Sequence, residues 1–197
     1  MIDDLDKTLK ELLNRELPAD LVKELTISFA TPDDRFPPDS LKLPAIDLFL
    51  YDVRENRDLR SNEWLVERQN DGTATKKRFP VRVEGSYLIT AWPSNSSSSF
   101  SSPDEEEHYI LGEVMKALLH HSTIPDEVLQ GELQNQQLPL PTSTLQPGHL
   151  QNLGEFWQAL GGKPKAALNY TVTISVEAHK PVEVKLVTDK RIRPITD

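Results

Sequence analysis

From Leu168 to Glu177 the chain alternates without a break, with Leu168, Tyr170, Val172, Ile174 and Val176 set against Asn169, Thr171, Thr173, Ser175 and Glu177. A two-residue period is the mark of a half-buried strand, because successive side chains point to opposite faces of a sheet. Such a strand needs neighbours, and the sequence supplies them. Leu25, Ile27 and Phe29 alternate with Thr26, Ser28 and Ala30. Ala45 to Val53 is apolar and aromatic and too short for a typical helix, which predicts a central strand covered on both faces. Val81 to Trp92 is a further strand, with Tyr87, Ile89 and Ala91 on one face. Between these two, Asp71-Gly72 marks a turn that predicts a hairpin joining Trp64-Leu65-Val66 to Phe79.

Three segments have helical spacing instead. Ile2, Leu5, Leu9, Leu12 and Leu13 predict an amphipathic helix over 2–17, with Asp3, Asp4 and Asp6 at the positive end of its dipole and Pro18 as its stop. Ile110, Leu111, Val114, Met115, Leu118 and Leu119 predict a second helix from Asp104 to His121. Leu150, Leu153, Phe156, Trp157 and Leu160 predict a short third one, closed by Gly161-Gly162. Helices do not alternate with strands over 24–92, so a doubly wound fold is excluded. The expected class is α+β, a mostly antiparallel sheet packed by two or three helices. One domain over 1–179 is expected, interrupted by a Ser-rich loop at 94–103 and a long Pro-rich loop at 122–148. Residues 180–197 follow as a strand-like, basic arm.

Charge and composition narrow the function. The chain carries 22 Lys and Arg against 31 Asp and Glu, a net charge of −9, which argues against a groove that wraps nucleic acid. No run approaches a membrane span, and the acidic N-terminus is unlike a signal peptide. Without cysteine there is no disulfide, thiolate ligand or cysteine nucleophile. A cytoplasmic protein is expected.

No catalytic or cofactor constellation emerges. His120 and His121 are neighbours at a helix end, where adjacent side chains diverge by about 100°, so no convergence on a metal is expected. His108, Glu113 and His149 lack ligand spacing. Gly161-Gly162-Lys163-Pro164 fails the phosphate-loop pattern, having no Ser or Thr after the lysine. The acidic run Asp104–Glu107 reads as a solvated first helical turn. The expectation is therefore no enzyme, no cofactor and no metal site.

What remains concerns surfaces. After Pro181, Val182, Val184 and Leu186 alternate again and lead into basic Lys185, Lys190, Arg191 and Arg193. Such a segment suits either addition to a partner's sheet edge or completion of this chain's own sheet. Arg54, Arg57 and Arg60 give local basic polarity beside one strand, suited to a subunit interface or to a solvated strand end.

Five stretches together resemble one family: LPAIDLFLYDVRENRDLR (43–60), GSYLITAW (85–92), EEEHYILGEVMKALL (105–119), Ile124-Pro125 and LGEFWQALGGKPKAALNYTVTISV (153–176). Their order is similar to that in the N-terminal domain of the cap, or tail terminator, of extracellular contractile injection systems, as in the Photorhabdus virulence cassette and the Serratia antifeeding prophage. The resemblance implies a phage tail-terminator-like α+β subunit. It implies a homohexameric ring that binds the end of the inner tube and contractile sheath and ends their polymerisation. It carries no catalytic residues. Longer relatives have C-terminal extensions, some tethering the particle to a membrane; with the chain ending at Asp197, no membrane insertion is expected. The alternatives are an adaptor that docks the particle to another cellular structure, and a metal-dependent hydrolase using His108, His120 and His121.

Overall fold

The first helix, α1 (Ile2–Glu16), forms where the leucine period requires it, and Leu5, Leu9, Leu12 and Leu13 are buried while Ile2 stays 44% exposed. The structure is a computed structural model and describes residues 1–69, 73–94, 100–146 and 152–185. Leu17 caps α1 in extended conformation, and Pro18 opens a second short helix, α2 (Ala19–Glu24), that the sequence did not suggest. Pro18 thus ends one helix and begins the next, since its fixed φ suits a helix start.

The strands are β1 (Thr26–Ser28), β2 (Ala45–Glu55), β3 (Trp64–Arg68), β4 (Thr73–Arg78), β5 (Val81–Trp92), β6 (Thr142–Thr144), β7 (Leu168–Val176) and β8 (Val182–Lys185). The remaining helices are α3 (Pro103–His120) and α4 (Leu153–Ala159). Among the described residues, one sheet has the order β1-β2-β5-β7-β6 and another β3-β4-β8. The class is α+β and mostly antiparallel, as expected. β1 departs from it, pairing parallel to β2 with Thr26 opposite Ala45. A parallel pair needs a long crossover, and here residues 29–44 provide it without a helix. Buried Phe36 anchors that loop, its ring centroid 4.7 Å from that of Trp92.

The chain divides into two compact units. One comprises Met1–Arg54 and Val83–Ile174, the other Glu55–Arg82 and Ser175–Asp197. The boundary therefore does not fall at residue 180, as the sequence suggested: the hairpin excursion and the C-terminal segment form a unit of their own. In the larger unit, α1 packs on one face of the five-stranded sheet, where Gly85 lets both Leu5 and Leu50 approach. Phe49, pointing to the opposite face, reaches Phe156 of α4 with ring centroids 6.1 Å apart. Ala45 to Leu48 are accordingly buried without alternation. Tyr87 of β5 is fully buried, and its hydroxyl donates to Asp6 Oδ1 of α1 at 2.8 Å. Burial raises the carboxyl of Asp6 and, together with that carboxylate, the Tyr87 phenol above their usual ranges.

The stretch 122–148 corrects the expectation of a surface loop. Among its described residues, Ile124, Val128, Leu129, Leu133 and Leu140 are buried, on two short 3-10 turns and flanking chain that pack against α1. These apolar residues are spaced by prolines and polar groups with no period, so no sequence pattern reveals them. The backbone N–H groups of Gln130 and Glu132 donate to Thr8 Oγ1 at 3.0 Å and Asp4 Oδ2 at 3.3 Å. Between them Gly131 has φ of +56°, and a Cβ there would stand 2.4 Å from the Asp4 carboxylate. Gly131→Ala is expected to destabilise the fold by about 1–2 kcal/mol from the left-handed backbone alone, with added loss from displacing Asp4. Chemical denaturation at pH 7 checks this; an unchanged midpoint would show that the turn has another conformation open to it.

The Ser-rich segment is also less detached than expected. Residues 95–99 lie outside the described residues, but Ser94 donates from its backbone N–H (2.9 Å) and hydroxyl (2.8 Å) to buried Glu106. Ser102 caps α3 by accepting from the Glu105 N–H at 3.2 Å, and Phe100 meets Tyr109 with centroids 5.3 Å apart. The first turn of α3 is thus a hydrogen-bonded junction and not simply a solvated acidic end.

Candidate assembly surfaces and a histidine–glutamate cluster

The smaller unit presents a basic, partly apolar sheet. β4 pairs antiparallel with β3, setting Trp64 opposite Arg78 and Val66 opposite Lys76. On its other side β4 pairs with β8, setting Lys76 opposite Val182 and Ala74 opposite Val184. Residues directly opposite share a face, so Trp64, Val66, Lys76, Arg78 and Val182 line one side. Trp64, Val66 and Val182 are 40%, 51% and 53% exposed. Lys76 Nζ lies 4.1 Å and Arg78 Cζ 4.7 Å from the Trp64 ring centre, so the cations hold the indole in place while remaining at the surface. Lys77 pairs with Glu177, and Arg82 donates to Ser175 Oγ at 2.6 Å in the unit's interior.

This corrects the picture of a free arm. Val182, Val184 and the backbone of Lys185 belong to β8, paired within the chain, because Pro181 lets the alternating segment restart beside β4. β8 stands at the end of the order β3-β4-β8. Leu186, Lys190, Arg191 and Arg193 lie outside the described residues. The turn at Asp71-Gly72 does too, although the hairpin it implies is present as β3 and β4.

The three arginines are not brought together as one patch. Arg54 donates from Nε to Asp52 Oδ2, which raises its guanidinium above the usual value. Arg60 Nε lies 3.3 Å from Glu55 Oε1, and Arg57 is exposed. Arg54 belongs to the larger unit and Arg57 and Arg60 to the smaller.

The larger unit holds a cavity of about 600 Å³ lined by Asp33, Asp34, Trp92, Glu107, Trp157 and Lys165, among others. Lys165 crosses it, paired with Glu107 and lying 4.6 Å from the Trp92 ring centre. Gly161, with φ of +71°, ends α4 beside it. The glycine pair is therefore a helix cap, as the failed phosphate-loop pattern suggested.

The histidine pair behaves differently from the sequence argument. The 100° divergence holds only if both residues are helical, and His121 is the extended cap of α3, with φ −117° and ψ 110°. The two rings meet edge-to-face with centroids 4.8 Å apart. Glu16, the last residue of α1, places Oε1 3.3 Å from His121 Nε2. Ligand atoms of Glu16, His120 and His121 all lie within 4.8 Å of one another. His108 is not in this group; it lines the cavity by Lys165. A glutamate ending one helix and a histidine pair ending another are visible in the sequence, but their meeting is not.

No helix among the described residues is long and apolar enough to cross a membrane. No curated protein matches the chain. Among solved structures it is similar to the sheath/tube terminator of the PVC extracellular contractile injection system in its extended state, with 26% identity and a TM-score of 0.71, covering all of this chain and 64% of that one. It is also similar to the tube-terminating cap of the anti-feeding prophage, with 25% identity and a TM-score of 0.64, covering 98% of this chain and 61% of that one. The chain thus spans a little over three-fifths of the length of both. Residues 4–189 match the Pvc16 N-terminal domain, nearly the whole sequence, and the chain belongs to that family.

Proposed function

We propose that this chain is a non-enzymatic cap of a contractile injection particle: a homohexameric ring that binds the end of the inner tube and sheath and stops their growth. The observation that carries the reading is the likeness, over the full chain, to a protein that terminates both sheath and tube. Charge supports the ring. The smaller unit contains 12 Lys and Arg against 9 Asp and Glu, a net of +3, which leaves the larger at −12 within the chain's −9. A closed ring uses two different faces that complement each other, and units of opposite sign provide them. The exposed Trp64–Val66–Val182 face supplies apolar area beside its cations. The outer edge of β8, with Lys190, Arg191 and Arg193 following, is the proposed contact for tube or sheath. Arg57 and Arg60, in the smaller unit, are assigned to the basic side of the subunit interface; Arg54, in the larger unit, is assigned to an interface of its own unit. Assembly of the ring onto the particle is assigned to the cytoplasm.

Deleting the gene for this chain tests the role. Sheath–tube assemblies in the deletion strain are expected to be rare or irregular in length under the electron microscope, and uniform normal particles would overturn the proposal. For the purified chain, light scattering is expected to show a hexamer at low salt that dissociates as ionic strength shortens the Debye length. The double reversal Lys76→Glu, Arg78→Glu is expected to give a folded monomer under the same conditions. A ring indifferent to both would place the interface elsewhere.

A further inference from the structure

We propose that Glu16, His120 and His121 form a binding site for a divalent transition metal of the zinc class, tying the end of α1 to the end of α3. Four observations converge on it. The first is donor chemistry: two imidazoles and one carboxylate suit zinc, nickel or copper(II), whereas magnesium and calcium select oxygen-only sets. Three protein ligands leave a fourth position for water or for a donor from another molecule.

Distance is the second. Two ligand atoms each about 2.0–2.1 Å from a tetrahedral zinc stand about 3.3–3.4 Å apart. Glu16 Oε1 and His121 Nε2 are 3.3 Å apart. His120, which is exposed, has its donor within 4.8 Å of both and closes the remaining gap by side-chain rotation. Its neighbour is held more firmly, because Thr142 Oγ1 donates to the His121 carbonyl at 2.7 Å and fixes the backbone that aims the ring.

The third is an unmet need. Among the described residues, buried His121 Nε2 has no hydrogen-bond partner, although Glu16 Oε1 stands 3.3 Å from it. Leaving a buried polar atom unpaired is unfavourable, and a metal would satisfy it. The fourth is the field. Glu16 ends α1 and His120 ends α3, so two helix C-termini, each equivalent to roughly half a negative charge, converge on the cluster and favour a cation there. A metal at this point staples the two helices whether or not the chain forms a ring.

The test uses the full, tag-free chain, dialysed against chelator and titrated with zinc chloride in a calorimeter. One saturable equivalent is expected. His120→Asn, at an exposed position that the fold does not depend on, is expected to weaken binding about tenfold or more, and Glu16→Gln likewise, since even outer-shell changes at metal sites cost that much. His108→Asn is expected to leave the affinity unchanged. Cobalt(II) in place of zinc is expected to give the intense visible absorption of a tetrahedral ion. The proposal is overturned by the absence of saturable binding, by affinities within twofold of wild type in both His120→Asn and Glu16→Gln, or by a weak octahedral cobalt spectrum.

Discussion

Replacing Leu12 by Ala is expected to destabilise the protein by about 2–5 kcal/mol, the range for truncating a fully buried leucine. Leu12 has no exposed surface and lies on the face of α1 shared with Leu5, Leu9 and Leu13. That face meets α3 and the two 3-10 turns of the 122–148 segment, so a cavity there loosens several packed elements together. Domains of this size are stable by only about 5–15 kcal/mol, and each kcal/mol shifts the melting temperature by about 2–4 °C. Ile2→Ala, on the exposed side of the same helix, is expected to change stability by no more than about 0.5 kcal/mol. Denaturant titration of both variants, with unchanged slope, separates burial from helix propensity. Equal effects at the two positions would mean that α1 is not the core helix described above.

The second large effect is pH-dependent and belongs to Asp47. Its carboxylate has no exposed surface; Oδ1 accepts the Ala30 N–H at 3.0 Å, while Oδ2 is buried without a hydrogen-bond partner among the described residues. Burial pushes its pKa up to about 6 from the usual 3.8, outweighing the hydrogen bonds from Ser28 and Ala30, which act to lower it. Below pH 3.8 both folded and unfolded chains hold the proton. Between 3.8 and about 6 the folded chain keeps a proton that the unfolded chain has released, so stability falls as pH rises. Above that window both are ionised, and the loss amounts to about 3 kcal/mol at about 1.4 kcal/mol per pKa unit. Asp47→Asn stays neutral and keeps the acceptor for Ala30. The stability of the variant relative to wild type is expected to rise by about 3 kcal/mol between pH 4 and 7. A flat difference across that range would show that water or a cation reaches Oδ2.

Periodicity in the sequence located the strong elements. The alternation from Leu168 and the apolar run from Val81 became β7 and β5 almost residue for residue, because a sheet with buried faces enforces a period of two. The leucines of α1 and the apolar face of α3 were equally legible, since helix spacing is itself a local property. The family was legible too, from the order of several short stretches that the match over 4–189 bears out.

Tertiary structure decided the rest, and in each case the deciding contact joins residues far apart in sequence. β1 became parallel to β2 because the chain between them crosses back over to the same end of the sheet, a path that local alternation does not state. The buried leucines of 122–148 follow no period, so only their docking on α1 shows them to be core. Residues 182–185 suited a partner's sheet or their own, and pairing with β4 chose the latter, a long-range choice that local alternation cannot express. His120 and His121 diverge on an ideal helix but converge where α3 ends, and Glu16 completes the cluster because α1 ends at the same place. A sequence states which faces are apolar and where chains turn; which faces meet is settled by packing, and packing brought the glutamate to the histidines.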